Sequence, residues 1–261
     1  MKRTYLYAIV ALIIIAVVVV LVFSTNSGLS SGEKLASFDN KPVPASLLAM
    51  LRIPDSVSNQ VGAGVAEKYV TPLNAPALTL NGKPEILYIG AEYCPFCAAQ
   101  RWPMVIALMR FGNFTNLSLM TSDHNDYSPD TPTFTFYNST YTSPYISFVS
   151  VEQTTNTRTA LQQMNDSQLA LFAANDPNGG IPFILFANRS VWINADYDPL
   201  SVLGDKNWTV IAAQLQNSSS VQAEAIVGTA NLMTAQICII DNNTPTSVCS
   251  QPYVRNLEGA I

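Results

Sequence analysis

Two cysteines separated by two residues, Cys94-Pro95-Phe96-Cys97, are the side chains best suited to chemistry in this chain. A cysteine thiolate is a strong nucleophile, and a second cysteine one helical turn away can attack a disulfide formed by the first. The pair therefore predicts thiol–disulfide exchange. A structural disulfide is one alternative. Metal binding is another, but the chain has only one histidine and one other, widely spaced cysteine pair to complete a site.

The elements around these cysteines favour the same chemistry. Residues 86–89 are an apolar run typical of a buried strand, and residues 102–109 carry apolar side chains at helical spacing. The cysteines then lie where a strand turns into a helix, with Pro95 in a first-turn position that needs no N–H donor. The unpaired N–H groups and the helix dipole would stabilise a thiolate at Cys94 and lower its pKa.

A second stretch, Gly179-Gly180-Ile181-Pro182, precedes an apolar strand. Proline cannot donate a hydrogen bond within a sheet, so it belongs at the first residue of a strand. Pro182 is a candidate cis-proline. In that case we expect the backbone of Ile181 to face the cysteines and to pair with an extended substrate chain. An ordinary trans-proline turn is the alternative.

The N-terminal part of the chain predicts a membrane anchor. Residues 6–23 are apolar throughout, which is about the length that spans a bilayer, and a basic head precedes them. No clear cleavage site follows. We expect residues 1–5 in the cytoplasm, an uncleaved signal anchor, a flexible linker over 24–43, and an extracytoplasmic domain over 44–261. Cleavage of the anchor is the alternative.

Composition agrees with an exported protein. Charged residues make up only 12% of the chain and the net charge is −5, which argues against nucleic-acid binding. Eight Asn-x-Ser/Thr sequons suggest a glycosylated outer surface, although an Asn-rich chain yields some sequons by chance. These glycosylation candidates are Asn113, Asn116, Asn138, Asn165, Asn188, Asn207, Asn217 and Asn242.

The remaining elements follow from periodicity. Residues 117–121 should form the strand after the first helix, parallel to the strand before it. Alternation predicts half-buried strands in 133–137 and 145–151, and helical spacing marks 157–174 with a break near 165. Residues 190–195 should pair with the strand after Pro182, before helices over 208–215 and 221–240. Cys238 and Cys249 should form a structural disulfide, because exported proteins retain such bonds. A redox relay to Cys97 is the weaker interpretation of that pair.

The order of strand, Cys-Pro-Phe-Cys, helix, strand and Gly-Gly-Ile-Pro before a further strand resembles the thioredoxin superfamily over roughly residues 77–217. An insertion would then occupy about 122–178. The anchor, sequons and polar composition also resemble an archaeal membrane-anchored family with this fold, known as a domain of unknown function. The resemblance implies that Cys94 attacks, Cys97 resolves and Pro182 is the cis-proline opposite them. Pro95 and Phe96 then resemble glutaredoxins and exported disulfide isomerases.

The chain also departs from that pattern. Thioredoxins often place a buried acid six residues before the first cysteine, where this chain has Tyr88, so we expect no proton relay by a carboxylate there. Glu92 is nearer, and we expect it to be solvated in a loop.

The fold expected from the sequence is therefore α/β, with a thioredoxin-like mixed sheet flanked by helices, an inserted segment and an N-terminal transmembrane helix. The expected function is extracytoplasmic thiol–disulfide oxidoreductase or isomerase activity on exported proteins, with no metal and no cofactor. Cys94 and Cys97 would be catalytic, and Pro95, Phe96, Ile181 and Pro182 would bind substrate. An oxidase would need a membrane redox partner. The alternative is a non-catalytic glycosylated cell-surface protein with the same fold and a locked disulfide.

Overall fold

A computed structural model describes residues 31–66 and 70–259. The expected anchor over 6–23 and the first part of the expected linker lie outside these residues. The described part of the linker differs from a flexible tether. Residues 31–36 are helical, and the backbone of Asn40 and Val43 bonds to Leu119 and Leu117. This segment is therefore folded onto the domain.

The strands are, in chain order, β1 (Val70–Pro72), β2 (Thr79–Leu80), β3 (Lys83–Gly90), β4 (Asn113–Thr115), β5 (Ser118–Thr121), β6 (Pro132–Thr135), β7 (Thr140–Thr142), β8 (Ser147–Glu152), β9 (Phe183–Phe186) and β10 (Ser190–Ile193). The α-helices are α1 (Ser31–Ala36), α2 (Ala45–Met50), α3 (Asp55–Val61), α4 (Pro95–Met109), α5 (Asp166–Asn175), α6 (Pro199–Leu203), α7 (Trp208–Gln214), α8 (Gly228–Ile240), α9 (Thr246–Cys249) and α10 (Pro252–Glu258). A π-helical segment, Ala223–Val227, leads directly into α8.

The main sheet is mixed and is built around β3. Its strand order is β1-β10-β9-β3-β2, and β8 also pairs with β3. The β8 pairing is parallel, whereas β9 and β2 run antiparallel to β3 and β10 runs antiparallel to β9. The hairpin expected after Pro182 is thus confirmed. The sheet and its helices confirm the α/β class.

The parallel partner of β3 is not the strand that we expected from the sequence. Residues 118–121 do form a strand, β5, but it pairs antiparallel with β6 in a separate two-stranded sheet. The other edge of β5 is occupied by the segment 40–43, through backbone bonds at Leu117 and Leu119. The position beside β3 is taken by β8, which lies within the range 122–178 that we set apart as an insertion.

Alternate residues of β3 face two different cores, as the two-residue period of a strand requires. Ile86 and Tyr88 pack in the larger core, together with Trp102 of α4. Leu87 and Ile89 pack in a smaller core with Phe172 of α5 on the opposite face. Helices on both faces therefore bury β3 from Ile86 to Gly90 and fix the position of the turn that follows it.

The stretch Ala223–Ile240 is long and apolar enough to span a membrane by length and composition alone. However, 83% of this stretch is buried inside the protein. It packs against α4, so within the described residues it acts as a core helix.

Candidate functional site

Cys94 is the N-cap residue of α4. Its backbone is extended (φ −75°, ψ 119°), and the N–H of Cys97 donates a hydrogen bond to its sulfur over 3.1 Å. A sulfur thus occupies the place where serine or aspartate usually caps a helix, and it accepts one of the four unpaired N–H groups. Pro95 follows in the first turn, as predicted.

The two sulfurs differ in access. Both are free thiols in this structure, and the Cys94 residue keeps 6% of its surface exposed whereas Cys97 keeps none. An incoming disulfide can therefore reach Cys94 first. Cys97 lies behind it, on the buried face of α4.

Their acidities differ in the same sense. The hydrogen bond with the Cys97 thiol lowers the pKa of Cys94, and the backbone N–H of Cys97 and the Arg101 charge lower it further against the effect of burial. Burial raises the pKa of Cys97 well above its usual range, and its hydrogen bond to Cys94 adds to this. Cys94 is thus the thiol that ionises first, and only the thiolate is nucleophilic.

Strand register brings Pro182 to the same end of the sheet. Ile89, near the end of β3, is paired with Phe183, the first residue of β9, and Pro182 immediately precedes it. The Ile181–Pro182 peptide bond is cis. Pro182 is buried and Ile181 is half-buried. Both residues therefore lie at the end of the sheet where β3 finishes and the turn to Cys94 begins.

An aromatic rim, made of Tyr93, Phe96 and Tyr127, borders this end of the sheet. The Phe96 ring stacks on Tyr127, with centroids 5.9 Å apart and planes at 5°. Tyr127 is 58% exposed. The guanidinium of Arg158 lies 4.1 Å from the centroid of the Tyr93 ring. We did not find Tyr127 or Arg158 from the sequence, because both come from irregular loops that carry no periodic signal.

A fully buried ion pair lies behind the sulfurs. Arg101 donates from Nε to Oε1 of Glu152 over 2.9 Å and from Nη2 to Oε2 over 2.6 Å. Both side chains have no exposed surface. We missed this pair from the sequence, although Arg101 lies four residues after Cys97, a spacing that shares a helix face.

Glu92 is not solvated, and that expectation was wrong. The residue is 3% exposed, and its Oε1 accepts a hydrogen bond of 2.5 Å from Thr135 Oγ1. Its N–H donates to the carbonyl of Thr154. The strand β6 and the loop after β8 therefore enclose it. Burial raises the pKa of Glu92.

A second acid lies near Glu92. Burial raises the pKa of Asp39 to about 7, although hydrogen bonds from Thr121 and Asn156 act in the opposite direction. The charge of Glu92 raises it further. The side of the site that faces β5 and β6 thus contains two carboxyl groups that favour the neutral form.

The other cysteines are joined. Cys238, near the end of α8, and Cys249, at the end of α9, form a disulfide with their Cα atoms 5.6 Å apart. Both residues are fully buried. This bond is therefore part of the core and involves neither Cys94 nor Cys97.

The eight sequon asparagines all keep some exposed surface. Asn188 and Asn207 are half-buried, and the other six are exposed. The side chains of Asn165 and Asn207 accept the capping hydrogen bonds of α5 and α7.

A surface cleft of about 360 Å³ lies between α1 and the segment 204–207. Its lining includes Phe38, Asp130 and Lys206 but neither Cys94 nor Cys97. Within residues 31–66 and 70–259, no group of three or more His, Cys, Asp or Glu side chains is arranged to hold a metal ion.

One known family overlaps this site. The model of a family described as a domain of unknown function (DUF929) matches residues 69–174. The matched range contains both cysteines of the site and ends before Pro182. No curated protein and no solved structure matches the chain.

Proposed function

We propose that this protein is a thiol–disulfide oxidoreductase or isomerase that acts on proteins. The observation that carries the proposal is the asymmetry of the two sulfurs. Cys94 keeps 6% of its surface exposed and accepts an N–H bond at the start of α4, whereas Cys97 is fully buried one turn further on. A more accessible nucleophile and a less accessible resolving thiol are what two-step exchange requires.

The fold supports a finer assignment to the thioredoxin superfamily. A parallel pair, β3 and β8, is extended by the antiparallel strands β9 and β10. The cysteines follow the first of these strands, and Pro182 precedes the third. This arrangement is compatible with a thioredoxin-like fold, and the resemblance to an archaeal membrane-anchored family belongs to the same proposal.

The proposed reaction conserves electrons and protons. The Cys94 thiolate attacks a substrate disulfide, a Cys94–substrate bond forms, and the first substrate sulfur leaves and takes up a proton. The Cys97 sulfur, after losing its proton, then attacks Cys94. The second substrate sulfur leaves as a thiol, and the protein carries the Cys94–Cys97 disulfide. Two electrons have passed from the protein to the substrate, and the reverse sequence oxidises a dithiol substrate.

A macromolecular substrate fits the surroundings of Cys94. Cys94 keeps 6% of its surface exposed, Phe96 two residues on stacks on the exposed Tyr127, and neither cysteine lines the cleft of about 360 Å³. Phe96, Ile181 and the cis-proline Pro182 lie at the same end of the sheet, where β3 finishes. We therefore propose that an extended chain next to the substrate cysteine lies along Ile181 and contacts Phe96.

The proposed location is outside the cell, with the domain held by a signal anchor over residues 6–23. The proposal includes glycans on some of the exposed sequons. Reduction potential relative to the compartment sets the direction of the reaction, and an exterior favours oxidation or isomerisation. Net oxidation of substrates requires a membrane partner that withdraws electrons from the reduced Cys94–Cys97 pair.

The test uses the full-length protein in detergent. Wild type should reduce insulin disulfides and should reactivate a reduced, scrambled substrate, whereas Cys94→Ala should do neither. Cys97→Ser should accumulate a mixed disulfide with the substrate, because the resolving sulfur is missing. A lack of activity in wild type, with no mixed disulfide for Cys97→Ser, would favour the non-catalytic surface protein instead.

A further inference from the structure

The cation of the Arg101–Glu152 pair lies on the helix that carries the cysteines, and the anion lies on a neighbouring strand. Arg101 is on the same helix as Cys97, one turn further on, whereas Glu152 is the last residue of β8. The cation therefore shares a helix face with the resolving sulfur. The anion is held on the neighbouring strand.

Arg101 also fixes the turn that presents Cys94. Besides its bonds to Glu152, Nη2 donates to the carbonyl of Ala91 over 2.8 Å. Ala91 directly follows β3, and the N–H of Cys94 bonds to the same carbonyl. One guanidinium therefore joins the helix, the neighbouring strand and the turn before the nucleophile.

The third guanidinium nitrogen, Nη1, is buried and has no hydrogen-bond partner among the described residues. An unpaired buried donor costs about 1–3 kcal/mol. Moreover, a buried ion pair is often no more stabilising than apolar side chains of the same size. Stability alone therefore accounts poorly for this pair behind a redox site.

We propose that the Arg101–Glu152 pair positions the Cys94 turn and directs its positive end at the two sulfurs, so that it stabilises the negative charge they carry during exchange. This role rests on the proposed function. The charge matters most when Cys97 has lost its proton and attacks Cys94. At that point the Cys94–Cys97 bond forms, the Cys94–substrate bond breaks, and the substrate sulfur leaves with the electron pair and is protonated.

Other titratable groups also face the sulfurs. Tyr88 of β3 lies below the Arg101 guanidinium, 5.8 Å from ring centroid to Cζ, and Tyr93 and Glu92 belong to the turn itself. Arg158 covers Tyr93 and is paired with Asp123 and Asp126. In agreement with the proposal, the charge of Arg101 lowers the pKa of both cysteines.

The experiment compares Arg101→Gln with Glu152→Gln in the reduced, full-length protein. Loss of the cation should slow alkylation of Cys94 by iodoacetamide at neutral pH by about three- to tenfold, whereas loss of the anion should accelerate it by a similar factor. The reduction potential of the pair should fall in the first variant and rise in the second, because stabilised thiolates favour the reduced form. Both variants disrupt the Arg101–Glu152 hydrogen bonds, and Arg101→Gln also removes the bond to the Ala91 carbonyl.

A purely structural pair would move both variants in the same direction, and that result overturns the proposal. So does an unchanged alkylation profile in both. If Arg101→Gln does not fold, Arg101→Lys decides together with Glu152→Gln. The lysine variant must alkylate at the wild-type rate within about twofold. Glu152→Gln must alkylate faster than wild type. Alkylation requires only a thiol, so it can be read even if wild type reduces no insulin and the proposed function itself fails.

Discussion

Removal of the Cys238–Cys249 disulfide should reduce stability and leave thiol–disulfide exchange intact. The two cysteines are 11 residues apart, and closing a loop of that length removes about 3 kcal/mol of entropy from the unfolded chain at room temperature. Both side chains are fully buried, so substitution by alanine adds a small packing loss. We expect the double variant Cys238→Ala/Cys249→Ala to lose about 3–4 kcal/mol of unfolding free energy.

The assay is urea unfolding of the full-length protein in detergent, followed by intrinsic fluorescence, beside insulin reduction at a temperature where both proteins are folded. In a domain of this size the loss corresponds to a fall in Tm of about 6–15 °C. Insulin reduction should stay within about twofold of wild type, because the disulfide lies at the end of α8 and α9, away from Cys94. A stable variant without activity would refute the separation of a structural pair from a redox pair. It would favour a relay of electrons between Cys238–Cys249 and Cys97.

Further outcomes concern the aromatic rim and Asp39. Tyr127→Ala should raise KM for a protein disulfide about three- to tenfold and leave kcat unchanged, because an exposed ring that stacks on Phe96 would lose its contact with substrate. Ile239→Ala, an exposed apolar position near the end of α8, is the control and should leave both constants unchanged; equal effects in the two variants would exclude a role for the rim. Asp39 binds its proton more tightly when folded, with a pKa of about 7 against a usual 3.8, so stability should fall as pH rises between these values, by at most about 4 kcal/mol. Urea midpoints measured across that range should decline for wild type and should decline less for Asp39→Asn, and parallel curves would show that another group is responsible.

The strand–turn–helix unit around the cysteines could be predicted from the sequence because its signals are local. An apolar run ends at Gly90, a proline opens the helix, and apolar side chains repeat at helical spacing. The hairpin of β9 and β10 likewise follows directly from two short apolar runs. Each of these elements is determined by residues that are close together in the sequence.

The pairing of β3 with β8 could not be predicted in the same way. Pairing depends on which segment covers each edge, and residues 40–43 cover β5 from far along the chain. The expected helix over 157–174 also forms only from Asp166, where Asn165 provides a capping box. Before that residue, the N–H groups of Leu161 and Gln162 bond to the carbonyls of Gln153 and Glu152 instead of to a helical turn.

In the site, too, local features could be predicted from the sequence and long-range contacts could not. Cys94 and Cys97 carry a motif, but Glu92 is buried only because β6 and the loop after β8 fold over it. The partner of Arg101 comes from a strand about fifty residues away, as the separation of 51 shows. Long-range partners of buried charges leave no periodic trace in the sequence.

The most direct test of the account is the pH dependence of alkylation at each cysteine of the site, measured by mass spectrometry on the reduced, full-length protein. We predict that Cys94 reacts first and at lower pH than a free cysteine, and that Cys97 stays unmodified until the protein unfolds. Prior or equal reaction of Cys97, or a Cys94 that ionises only above the usual range of a thiol, would contradict the assignment of Cys94 as the nucleophile.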